Sequence, residues 1–224
     1  MREAITRNSL LLAGFALLTV LLVASTYLGT RERISDAQRA AEEKALLQIV
    51  PRERHDNSML DDSIAAPVGD PLLRLNEAKS IYIARRQGLA VAAIVPAVAP
   101  DGYSGSIDIV VGVNRDGSVA GVRVLQHRET PGLGDAVDHR KSDWVQRFKG
   151  RSLSDPTLER WTVRKDGGDF DQFTGATITP RAVVQATARA LTWVADNRAR
   201  IFPETPDNDP KSLDGEPEPR VSAP

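Results

Sequence analysis

An α+β fold, with a mixed sheet-and-helix domain behind one N-terminal transmembrane helix, is predicted by three patterns in the chain. Residues 8–30 carry no charged side chain. Residues 105–125 alternate apolar with small or polar side chains around an Asn-Arg-Asp-Gly turn, the period-two signature of a hairpin. Residues 181–195 repeat apolar side chains at the spacing of one helix face. These patterns divide the chain into an anchor (1–30), a juxtamembrane helix and linker (31–71), the α+β domain (72–202) and a C-terminal tail (203–224).

Composition narrows the function. A chain of 224 residues has room for one soluble domain with appendages. A formal net charge of −1 supplies no broad basic field, so a nucleic-acid partner is not expected. The absence of cysteine excludes disulfides, iron–sulfur ligation, thiolate catalysis and thioether haem attachment. Redox work by this chain therefore needs an organic cofactor or a metal held by other ligands. His127, Asp135, Asp138 and His139 have no recognised zinc spacing; they read as the solvated start of a helix, and no metal site is expected.

Taken in order, Leu10 to Val23 is nearly all Leu, Ala, Val and Phe. As a helix the uncharged run spans about 34 Å, enough for a bilayer core, and Tyr27 suits an interface. Val23-Ala24-Ser25 also resembles a signal-peptidase site, but the uncharged run is long for a signal segment and favours a retained anchor. Arg2 and Arg7 on one side face Arg31, Arg33 and Arg39 on the other, so charge alone leaves the orientation open. Arg31 to Ile49 reads as a charged helix stopped by Pro51, and Arg52 to Pro71 as a polar linker or lid. Strands are expected at Ser80–Arg85 and Leu89–Val95 around Gln87-Gly88, then at Gly105–Val113 and Val119–Leu125. A short helix is expected at Ser142–Phe148, with Trp144 and Phe148 packing on the sheet, and a strand at Trp161–Arg164. Trp144, Trp161 and Trp193 read as packing residues. From Pro203 onward six prolines and six acidic residues predict a disordered tail.

The most informative stretch runs from Asp169 to Pro180. Thr179 is expected to cap a helix with its hydroxyl, Pro180 to take its first position, and Val183, Val184, Thr187, Ala188, Leu191 and Val194 to form its apolar face, ending near Asn197. Thr177 then lies on a small-residue turn just before a helix N-terminus, where backbone N–H groups and the helix dipole favour an anion. Gly175 and Ala176 leave space for a bulky group to reach the Thr177 hydroxyl. No residue within the motif would activate a threonine, so any chemistry at Thr177 calls for an external enzyme. The same string also suits an ordinary capped turn. Upstream, Glu129-Thr130-Pro131-Gly132-Leu133-Gly134 is a loop whose glycines let backbone approach a flat ligand.

Asp171-x-x-Thr174-Gly175-Ala176-Thr177 resembles the motif on which a flavin transferase esterifies FMN to the last threonine. Gly102-Tyr103-Ser104-Gly105, the hairpin, Glu129 to Gly134 and Ser142-Asp143-Trp144 accompany it in order. Together they resemble the G-subunit family of the Rnf ion-translocating electron transport complex over roughly residues 6–202. That resemblance implies a single-pass inner-membrane protein with its soluble domain on the periplasmic side, and FMN joined to Thr177 through its phosphate. It implies electron relay between neighbouring subunits in a complex linking ferredoxin and NAD to ion movement, with a flavin transferase as maturation partner and no catalytic residue of its own. The expected flavin neighbours are Asp171, Thr174, Gly175, Ala176, Glu129, Thr130, Gly132, Leu133 and Gly134. The C subunit of the sodium-pumping NADH:quinone reductase shares the anchor and the motif, and a cofactor-free scaffold subunit is a further alternative.

Overall fold

The computed structural model describes residues 2–204, so the expected disordered tail lies, from Thr205 on, outside the described residues. The chain divides into two compact units between Ala45 and Leu46. Most of the first is helix α1 (Arg2–Ile49). Within it, Thr6–Arg31 forms one stretch of 26 residues long and apolar enough to cross a membrane. The hydroxyls of Thr19, Ser25, Thr26 and Thr30 donate to main-chain carbonyls three or four residues earlier at 2.8–3.0 Å. Self-satisfied hydroxyls of this kind suit a segment that finds no water around it. The helix passes through the charged stretch without interruption and stops before Pro51, which has no N–H to continue it.

The second unit is built on a five-stranded antiparallel meander: β1 (Ser63–Ala65), β2 (Ser80–Arg86), β3 (Leu89–Gly102), β4 (Gly105–Asn114) and β5 (Val119–Gln126), each paired with the next. Gln87 and Gly88, with φ of 53° and 77°, make the tight turn between β2 and β3. Val95 lies opposite Val111, and Val111 opposite Val122. Both sheet faces are covered. Ile81, Ile83, Ala93, Val95, Ile109, Val111 and Val122 pack under helix α2 (Ile178–Asp196) and the loops before it. Ala84, Ala92, Ile94, Val110 and Ala120 pack under Leu46, Ile49, Val50 and Met59. Gly112 permits that second layer, since a Cβ there would lie 2.2 Å from Ile49 Cγ2. A final short helix, α3 (Arg198–Ile201), buries Ile201.

Three elements differ from the sequence expectation. Residues 52–71 are not a linker: β1 extends the sheet, and His55, Met59, Ile64 and Ala66 are buried. Strand β3 continues past Val95 to Gly102 despite Pro96 and Pro100. This is possible because β2 pairing ends at Ile94, so no ladder partner needs the N–H that Pro96 lacks. Residues 161–164 form no strand; Val163 makes one isolated bridge to Phe170, and the Trp161 indole N–H donates to the Ser152 and Pro156 carbonyls. The short helix expected at Ser142–Phe148 is present as a 3-10 helix over Trp144–Phe148, with the Trp144 and Phe148 rings 5.1 Å apart in edge contact. Trp144, Trp161 and Trp193 are all buried.

Candidate functional site

Helix α2 starts three residues earlier than its apolar spacing suggests, and Thr177 occupies its N-cap position. The Thr177 side chain caps nothing. Pro180 stands within the first turn, where a missing N–H costs no helical bond. Thr179, expected as the cap, is fully buried and turns its hydroxyl away from the helix end. Its Oγ1 donates to Glu129 Oε2 at 2.5 Å. A carboxylate 50 positions upstream in sequence thus outcompetes the local backbone, because a charge-assisted bond in a buried setting is stronger than a cap to neutral N–H groups.

Glu129 is 5% exposed. Its other oxygen, Oε1, accepts from the backbone N–H of Ser104 at 3.0 Å, and its own N–H donates to His127 Nδ1 at 3.2 Å. It therefore ties together the β3–β4 turn, the loop 129–134 and the start of α2. Gly134 makes this junction possible: a Cβ there would lie 2.6 Å from Glu129 Oε2 and 2.8 Å from Thr179 Oγ1. The loop closes on itself through Leu133 N–H to the Thr130 carbonyl at 3.1 Å and Gly132 N–H to Asp135 Oδ1 at 2.8 Å.

Around this junction lies a cavity of about 350 Å³, walled by Tyr103, Glu129, Thr130, Leu133, Gly134 and the run Gly175 to Thr179. That volume is in the range of small-molecule sites. Tyr103, Leu133 and Ile178 are exposed apolar side chains on the same wall. Glu129, Thr130, Leu133, Gly134, Gly175, Ala176 and Thr177, all named from the sequence, are brought together here. Gly132, Thr174 and Asp171 are not part of the wall. Asp171 instead fastens the motif from behind: its carboxylate pairs with Arg147 and, at 3.1 Å, with Arg164, and its carbonyl accepts the Trp144 indole N–H at 2.7 Å. Sequence reasoning missed Tyr103 and Ile178, and misplaced the Thr179 hydroxyl. An aromatic at a Gly-Tyr-Ser-Gly turn and an isoleucine between two threonines were the available signals.

Among the described residues no group of three or more His, Asp or Glu could hold a metal ion. Asp138, 3% exposed, is held by Arg140, whose guanidinium bonds pull its carboxyl down from 3.8 to about 2, with its own burial opposing. The arrangement around Thr177 suits a phosphorylated, flat-ringed ligand. The uncapped N-terminus of α2 offers backbone N–H groups to a phosphate, and Tyr103, Leu133 and Ile178 offer apolar surface to rings.

Residues 102–192, which include this whole wall, match the family model of the FMN-binding domain, and residues 1–49 match the RnfG N-terminal region. The chain is 50% identical over 202 residues to the G subunit of an ion-translocating oxidoreductase complex of Pseudomonas aeruginosa, covering 90% of this chain and 94% of that protein. The G subunits of the same complex from Shewanella amazonensis and Vibrio atlanticus are 46% and 44% identical over 202 residues, again 90% of this chain. They are covered over 94% and 96% of their own lengths.

Proposed function

The chain belongs to the G-subunit family of ion-translocating oxidoreductase complexes, and from that premise we propose that it relays electrons through FMN esterified to Thr177. The protein is then a membrane-anchored subunit of a multi-subunit complex that joins ferredoxin and NAD chemistry to ion movement. Its soluble domain stands on the periplasmic side. The observation that carries the reading is the Thr177 side chain: it caps nothing and stands on the cavity wall, at the open N-terminus of α2 within the FMN-binding match.

Bound FMN supplies a centre that takes up and releases electrons one or two at a time. The chain's own residues do the rest. In maturation the Thr177 oxygen forms a bond to the FMN-side phosphorus of FAD; the pyrophosphate bond breaks, AMP leaves, and the hydroxyl proton passes to a flavin transferase. Gly175, with φ of 80°, and Ala176 leave the approach to that oxygen clear. The first N–H groups of α2 would hold the phosphodiester's negative charge, and Leu133, Ile178 and Tyr103 would offer apolar surface to the rings. A covalent tether keeps the cofactor at high effective concentration where free FMN is scarce.

Thr177→Ala tests the reading. The wild-type protein, produced with its transferase in membranes, is expected to carry one FMN less water by intact mass and to fluoresce in a denaturing gel. The variant is expected to lose both while keeping its fold and membrane association. An unmodified wild-type mass, with the transferase active on another substrate, sinks the proposal.

A further inference from the structure

We infer that the Glu129 carboxylate sets the reduction potential of the group carried at Thr177, with Thr179 as the positioning residue that holds it there; the inference rests on the reading of Thr177 as the FMN attachment point. Glu129 lies on the cavity wall together with Thr177 and is 5% exposed. Its two oxygens accept from Thr179 Oγ1 and from Ser104 N–H, both neutral donors. Among the described residues it has no ion-pair partner. Its acidic neighbours in sequence and in the flavin motif differ: Asp135 faces Lys141, Asp138 holds Arg140, and Asp171 takes Arg147 and Arg164. Glu129 is thus the acid of the cavity wall whose charge no cation neutralises, and the bonds from Thr179 Oγ1 and Ser104 N–H hold both of its oxygens in place.

A buried charge with no counter-ion acts over several ångströms. When the ring system in the cavity takes one electron from a one-electron donor protein, no bond breaks and the site gains one negative charge. Glu129 opposes that gain, so it holds the potential low. Its neutral isostere is expected to favour the reduced form about tenfold, a rise of about 59 mV for a one-electron couple.

The test is a mediated spectroelectrochemical titration of the full-length flavinylated protein in detergent. Glu129→Gln removes the charge and keeps the shape; Glu129→Asp keeps the charge and loses the shape. A charge effect raises the potential in the Gln variant and leaves the Asp variant within about threefold of wild type in reduction equilibrium. An unshifted or lowered potential in Gln, or an equal shift in Asp, overturns the inference. Should Glu129→Gln fail to fold or to take flavin, Thr179→Val decides. Stripping one donor from the carboxylate leaves its charge less compensated, so the potential falls; an unchanged or raised potential overturns the inference. A wild-type protein without flavin overturns the FMN reading and this one with it, whereas a flavin-loaded wild type with an unshifted Gln variant overturns this one alone.

Discussion

Gly134 has no side chain because Glu129 and Thr179 already occupy the space one would need. In Gly134→Ala the added Cβ meets Glu129 Oε2 at 2.6 Å, Thr179 Oγ1 at 2.8 Å and Glu129 Cβ at 3.0 Å. The carboxylate is the free end of a flexible chain, but two hydrogen bonds hold it, so relief requires breaking the Glu129–Thr179 bond. The expected cost is about 1–3 kcal/mol, measured by urea unfolding in detergent with tryptophan fluorescence as the signal. Asp138 makes a different contribution. Its folded-state carboxyl lies near 2 against an ordinary 3.8, so its stabilisation is complete above the ordinary value and is lost as pH falls from there to about 2. Asp138→Asn is therefore expected to flatten the acid limb of the stability profile in that window and to leave the slope above about pH 5 unchanged. Asp116, also held below its ordinary value by Ser118, keeps part of the limb in the variant.

At the scale of elements, helix α2 shows how a local signal and a distant partner divide the outcome. The apolar stripe Val183, Val184, Leu191 and Val194 is buried as its spacing predicts. The first turn is decided elsewhere: Thr179 pairs with Glu129, which frees Thr177 to stand at the N-cap with its hydroxyl unused. Strand β3 follows the same logic, since Pro96 is acceptable only because the pairing of β3 with β2 has already ended at Ile94. The aromatic group of Trp144, Phe148, Trp161, Phe170 and Phe173 replaces the strand expected near residue 161. Phe148 stacks on Phe170 at 4.8 Å, and Trp161 sits 4.9 Å from Phe170. Rings brought together from separate segments satisfy the chain there without a ladder.

At the scale of the molecule, the domain needs more chain than its composition suggests. Leu46, Ile49, Val50 and Met59 cover the sheet face formed by Ala84, Ala92, Ile94 and Val110. A fragment starting at residue 72 is expected to aggregate, because that face and the β2 edge lie open, whereas one starting at residue 44 is expected to stay monomeric and folded; size-exclusion chromatography and circular dichroism distinguish the two. The sequence alone determined the uncharged 8–30 span, the β4–β5 hairpin, the α2 stripe and the small-residue turn bearing Thr177, because each depends on composition, periodicity or turn chemistry within a few residues. It also named most of the cavity wall, since Glu129 to Gly134 and Asp171 to Thr177 are contiguous motifs. Only the tertiary structure decided that residues 46–66 belong to the domain, that Asp171 braces the motif from outside the cavity, and that Tyr103 and Ile178 join its wall. It alone decided that Thr179 serves Glu129 rather than its own helix. These outcomes turn on contacts between residues distant in sequence, where burial, ion pairs and a buried hydrogen bond outweigh local preference.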